Sequence, residues 1–127
     1  MLKKKIKYVD YNGESREEEY FFNMSESELS EWQYSVKGTL SSKIKDAIDT
    51  QNEPEIMKIY KDLILRSYGE KSSDGKRFRK KDDNGVPLAN AFYETEAFSS
   101  LFTELLSDEQ KANEFVEGVL PKNISSK

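Results

Sequence analysis

Residues 54–78 read PEIMKIYKDLILRSYGEKSSDGKRF, and the rest of the chain is arranged around them. At about 100° per residue, Ile56, Met57, Ile59, Tyr60, Leu63, Ile64 and Tyr68 fall within one half of a helix circumference, with Lys58, Asp62 and Arg66 opposite. An arc that wide exceeds what one neighbour covers, which predicts a central helix packed against two elements. Pro54 suits the first turn, where its missing N–H costs little, and Asn52 suits the N-cap. Gly69 stands where a left-handed residue would close the helix. The polar run 70–74 then leads through Gly75 to a basic segment around Phe78, and reads as a loop presented at the surface.

Working outward, 127 residues predict a single domain spanning 1–127, large enough to bury a core. One Trp, seven Tyr and seven Phe argue against wholesale disorder. The net charge of −4 gives no overall basicity that would point to nucleic acid. Without Cys there is no disulfide or thiolate site, and without His the commonest general base and metal ligand are missing. No carboxylate pair stands out from the 24 acidic residues, so neither an enzyme nor a cofactor is expected. The opening MLKKKIKY is followed by no apolar stretch of signal-peptide length, and no window approaches a membrane span. The default reading is cytoplasmic.

Upstream, residues 3–22 read as a β-hairpin around Asn12-Gly13. A two-residue turn would place Ile6 opposite Glu19. A three-residue loop pairs Asp10 with Glu14, sets Lys5 against Glu19 and Lys7 against Glu17, and gathers Ile6, Tyr8, Tyr20 and Phe22 on one face. That register is favoured, with Gly13 left-handed. The KKK and EEE runs become partners across a solvated face. The aromatic face must then rest on a helix, because an isolated hairpin is marginal.

A helical body is expected over 25–120. Ser25-x-x-Glu28 is a capping box, followed by Leu29, Trp32 and Val36 in phase and Gly38 as a stop; Trp32 reads as core rather than binding anchor. Residues 41–49 form a short helix with Leu40, Ile44, Ala47 and Ile48 inward. A second long helix is expected over 88–106, its apolar face made by Leu88, Ala91, Phe92, Phe98, Leu101, Phe102, Leu105 and Leu106. Tyr93 falls on its other side with Glu96, Ser100 and Glu104. Ser107-x-x-Gln110 is a second capping box for a last helix carrying Ala112, Phe115, Val116 and Val119, and 121–127 reads as a loose tail. The expected fold is thus α+β: four or five helices with an N-terminal hairpin packed on them.

The segment KRFRKK at 76–81 invites a nucleic-acid reading, with phosphate contacts beside a stacking Phe78. Asp74, Asp82 and Asp83 bracket it, and the chain is acidic, so that reading is set aside. Asp74-Gly75 and Asp83-Asn84-Gly85 with Pro87 are turn signals, the span between them reads as a short strand or an irregular excursion, and the acidic spacing is not that of a calcium loop.

Three quoted stretches carry a resemblance. They are EEEYFFNMSESELSE, the pattern Tyr68-Gly69-x-Lys71-Ser72-x-Asp74-Gly75-x-x-Phe78, and NAFYETEAFSSLFTELLSDEQKANEFVEGVLP. Over nearly its full length the chain resembles tail assembly chaperones of long-tailed bacteriophages of Gram-positive bacteria, departing at 81–87 and in having one Gly in 35–38. The resemblance implies a non-virion helper in the host cell cytoplasm that coats the tape measure protein, keeps it soluble and recruits major tail protein. It further implies a possible frameshifted longer form; self-association into a homo-oligomer is a separate expectation. Neither nucleic acid nor membrane is expected as a partner. Candidate partner-binding residues are Lys71, Asp74, Arg77 and Phe78 of the presented loop, with Tyr34 and Tyr93 lying off their helices' apolar faces. The alternatives are a small structural virion component of the tail (completion or connector) and a nucleic-acid-binding regulator using KRFRKK.

Overall fold

The computed structural model describes residues 1–32 and 39–121. In chain order come strands β1 (Leu2–Val9) and β2 (Ser15–Phe22), helices α1 (Glu26–Glu31), α2 (Thr39–Asp49) and α3 (Glu53–Ser67), strands β3 (Tyr68–Lys71) and β4 (Phe78–Arg79), then helices α4 (Leu88–Tyr93), α5 (Glu96–Ser107) and α6 (Glu109–Val119). The strands form one antiparallel sheet in the order β1-β2-β3-β4. Helices α5 and α6 pack against β1, and α4 packs against β3. The α+β class with an N-terminal hairpin on helices holds; the helices number six among the described residues.

The hairpin takes the register that its charges select. Lys5 faces Glu19 and Lys7 faces Glu17. The Asp10 N–H donates to the Glu14 carbonyl at 2.9 Å, and Gly13 takes φ 81°. The solvated-face reading of the two charge runs needs correction, because neighbours along a strand point to opposite faces. Lys4 turns inward and its Nζ meets Glu104 of α5 at 2.7 Å. Glu18 turns inward opposite Ile6, where the Tyr8 and Tyr20 hydroxyls donate to it at 2.5 and 3.0 Å.

Ser25 and Glu28 close the capping box that opens α1, and Leu29 is buried. Trp32 packs partly buried against the core, with the Arg66 guanidinium 4.9 Å from its ring. Tyr34, Val36 and Gly38 lie outside the described residues, as does 122–127 of the expected tail. In α2, Leu40, Ile44 and Ala47 are buried and Ile48 is half-buried.

The Asn52 side chain accepts the Glu55 N–H at 3.3 Å to cap α3, with Pro54 in its first turn. Ile59, Tyr60, Leu63 and Ile64 are buried, and α3 packs on α2, α4 and α5. Met57 is the exception on the apolar arc, since it lies exposed at the edge. Gly69 is no helix cap either. It is a β3 residue opposite Phe21, and a Cβ there would stand 2.5 Å from the Arg79 carbonyl oxygen and 2.6 Å from the Phe78 ring. The missing side chain is what lets β4 close on β3. The run expected as a presented loop therefore forms the turn of a second hairpin.

The helix expected over 88–106 is two. Helix α4 ends at Tyr93, and the Thr95 hydroxyl caps α5 by accepting the Phe98 N–H at 3.2 Å. The break resets the helical phase, so residues expected to face solvent meet β1. The Ser100 hydroxyl donates to the Lys7 carbonyl at 3.0 Å, beside the Lys4–Glu104 pair. Ala91 and Leu106, expected in the apolar face, are exposed. Asp108, not Ser107, caps α6, because its carboxylate accepts the N–H groups of Gln110 and Lys111 at 3.0 and 3.2 Å. Ala112, Phe115, Val116 and Val119 are buried as expected.

Every helix and the first hairpin contribute to one core. At its centre Phe92 stacks on Tyr68, with ring centroids 4.3 Å apart and planes 6° from parallel. Phe22 meets Phe92 edge-on at 5.8 Å and Phe115 at 5.3 Å. Most of the aromatic surplus is therefore internal, fixing the sheet to the helices. No helix among the described residues is long and apolar enough to cross a membrane.

Candidate partner-binding surfaces

The β3–β4 hairpin pairs Glu70 with Arg79 and Lys71 with Phe78. Its turn is built by Ser72 and Asp74. The Ser72 N–H donates to the Arg77 carbonyl at 2.9 Å, its hydroxyl to the Asp74 carboxylate at 2.7 Å, and Gly75 takes φ 75°. The Asp74 carboxylate also accepts the Lys76 N–H at 3.0 Å. These bonds, the Lys76 N–H first and then the Ser72 hydroxyl, hold its pKa below the usual value. Four of the six sequence candidates thus share one hairpin. Lys71 and Arg77 are exposed side chains, Asp74 shapes the turn, and the half-buried Phe78 covers Gly69.

The basic run behind this tip is divided by its contacts. Lys80 Nζ pairs with Glu28 at 2.7 Å and donates to the Arg66 carbonyl at 2.6 Å, so it ties β4's end to α1 and to the C-terminal turn of α3. Arg79 pairs with Asp83 at 3.1 Å. Lys71, Lys76, Arg77 and Lys81 remain exposed. Beside the Lys80 latch lies a cleft of about 290 Å³, lined by Met24, Leu65, Tyr68 and Pro87 with Glu28 and Arg66 at its polar side.

Tyr93 belongs to a different patch. It is 47% exposed, with its ring edge-on to Phe98 at 4.9 Å and Lys61 Nζ 4.7 Å from its centroid. Phe98 in turn stacks on Phe102 at 5.5 Å. Sequence reasoning found Tyr93 by its phase but missed Lys61 over its ring. Thr95 followed by Glu96 was the available signal, since a capping Thr there starts a new helix and turns the later aromatics relative to Tyr93.

The described residues thus form a small α+β body whose aromatic core carries a basic hairpin tip and an exposed Tyr93. The family model of the phage tail assembly chaperone matches residues 1–127, and the chain belongs to that family. No curated protein and no solved structure matches it. Membership makes tail assembly its process and tail proteins its partners.

Proposed function

We propose that this protein binds the tape measure protein of a long-tailed phage of Gram-positive bacteria, keeps it soluble and promotes polymerisation of major tail protein around it. The observation that carries the reading is the family match over the whole chain. The protein acts as one domain in the host cell cytoplasm, without cofactor or catalysis, and is left out of the finished virion. A frameshifted longer form and self-association belong to the same reading. An acidic, highly charged exterior supports it by supplying solubility to a client-loaded complex. Many copies along one long client give a stable coat from modest individual contacts.

The hairpin tip is proposed as one contact region, through Lys71, Arg77 and Phe78 with Asp74 holding the turn, and Tyr34 and Tyr93 as further contacts. Arg79 and Lys80 are engaged internally, which favours a protein partner over a phosphate backbone for the remaining cations. Replacing Lys71 and Arg77 by Ala leaves melting unchanged and weakens client capture.

The deciding experiment is co-expression with the tape measure protein of the same phage. The client becomes soluble and elutes with this chain at high salt, and purified virions lack the chain. A client that stays insoluble defeats the reading. Finding the chain in virions assigns it instead to the tail structure.

A further inference from the structure

The sheet ends at β1, which pairs with β2 on one side only. The Asp10 N–H donates to the Glu14 carbonyl at 2.9 Å, so Asp10 turns its hydrogen-bonding groups toward β2. In an antiparallel ladder that direction alternates along the strand, so Lys3, Lys5 and Lys7 turn their N–H and C=O groups outward. The Ser100 hydroxyl donates to the Lys7 carbonyl at 3.0 Å and meets one of those outward groups, so α5 closes the edge there. Among the described residues the outward groups of Lys3 and Lys5 meet no hydrogen-bond partner. A strand edge in that state is a template for one more strand.

The side chains on this edge select what docks. Paired residues share a face of the sheet, so Lys3, Lys5 and Lys7 stand on the outer face with Glu17 and Glu19 of β2. Gly69 pairs with Phe21 on that face, which places Lys71 of β3 there too. Charge therefore alternates from strand to strand, and the row that continues the alternation beyond β1 is acidic. The three β1 lysines are exposed, and among the described residues neither Lys3 nor Lys5 has a carboxylate within ion-pair distance. A second copy fits this edge poorly. Its own β1 would set lysine against lysine, and its acidic β2 is held by β1 along its length and by β3 at Phe21 and Phe22.

We propose that the β1 edge over residues 2–6 takes up an extended acidic segment of a partner protein as a further antiparallel strand. Glu or Asp stands opposite Lys3 and Lys5, with apolar residues between, beside Leu2 and Ile6. Backbone hydrogen bonds to Lys3 and Lys5 hold the strand, and the lysines choose its sign. The charge that guards the edge against its own kind thus admits the opposite one. This rests on family membership, which makes tail proteins the partners, and not on the tape measure reading.

The test uses the full chain and a short, blocked, fluorescent peptide alternating Glu with Val. The peptide binds, and hydrogen exchange at the Lys3 and Lys5 amides slows about tenfold or more. N-methylation of its Glu residues removes the donors that face β1 at unchanged charge and lowers affinity about tenfold or more. N-methylation of its Val residues, on the far edge, leaves binding intact. Lys3→Gln combined with Lys5→Gln alters exposed side chains, so melting stays that of the parent while affinity falls about fivefold at low salt. Equal binding of the two methylated peptides, or of a peptide alternating Lys with Val, overturns the proposal, as does no binding at all. Protection of Lys3 and Lys5 that rises with protein concentration before peptide is added assigns the edge to a second copy and overturns it too. If the peptide binds in the stated pattern while the co-expressed tape measure protein stays insoluble, the edge stands and the tape measure reading alone falls.

Discussion

Gly69 carries no side chain because two strands meet over it. The Arg79 carbonyl oxygen and the Phe78 ring occupy the places a Cβ would take. Gly69→Ala is expected to cost about 1–3 kcal/mol, since backbone must move to relieve the overlap; urea denaturation measures it. At Gly118 the atom in the way is the flexible Leu2 Cδ1 at 2.9 Å, so the same change costs less there. Glu18 is the other instructive residue. The Tyr8 hydroxyl first, then that of Tyr20, holds its pKa below the ordinary 4.5. A depressed folded pKa contributes stability above the unfolded value, and this is lost as pH falls through the folded one. Glu18→Gln should therefore flatten the stability profile as pH falls below the ordinary 4.5 of a glutamate. Parallel acid profiles for the parent and the variant would refute this. The same network works in the other direction on Tyr20, where burial and then the Tyr8 and Glu18 hydrogen bonds raise its pKa above 10.0. That stabilises the fold below pH 10 and is lost only as strong alkali ionises the phenol.

Among the elements, the turns repeat one construction. Asp10 and Asp82 each accept N–H groups two and four residues on, with Gly13 and Gly85 left-handed at φ 81°. Such three-residue loops are local chemistry, and the sequence DYNGE announces the first before any tertiary contact exists. The latch at Lys80 is the opposite case. Lys80 reaches Glu28 of α1, 52 positions back in the chain, and the last turn of α3 at Arg66. Lys80→Met should lower stability by about 1–3 kcal/mol because it leaves a charged hydrogen-bond partner unmet. Lys76→Met, at an exposed turn position, stays within about 0.5 kcal/mol. Equal losses at both positions, read by thermal denaturation, would remove the division of the basic run into latch and tip.

On the scale of the whole molecule, α3 connects the layers. Leu63 and Ile64 are completely buried between α2 on one side and α4 and α5 on the other. Leu63→Ala is expected to cost about 2–5 kcal/mol by leaving a cavity in close-packed surroundings. A loss below about 1 kcal/mol in denaturant titration would place this helix at the periphery. The aromatic cluster around Phe92 then ties the sheet to the helices, so that the β3–β4 tip is carried on the packed core.

The hairpin register, the caps at Ser25 and Asn52, and the buried stripes of α3 and α6 are legible in sequence because each depends on neighbours within a few residues. Periodicity of two or 3.6 is a local property, and alternating Lys and Glu penalise a slipped register at once. The break at Thr95 was hidden because the apolar spacing of 88–106 continues across it, and a cap is decided by which donors the fold leaves unpaired. The second hairpin was half hidden: a short strand near Phe78 was open to the sequence, but its pairing with β3 was not, because Gly69 is required by Phe78 and Arg79, which meet it only once the chain folds. The exposure of Met57 was only half visible. Sequence shows that α3 has an apolar arc wider than one neighbour covers, but only packing selects which edge stays uncovered. Burial is settled by whatever element occupies the adjoining space, and here Met57 is the position on that arc left exposed.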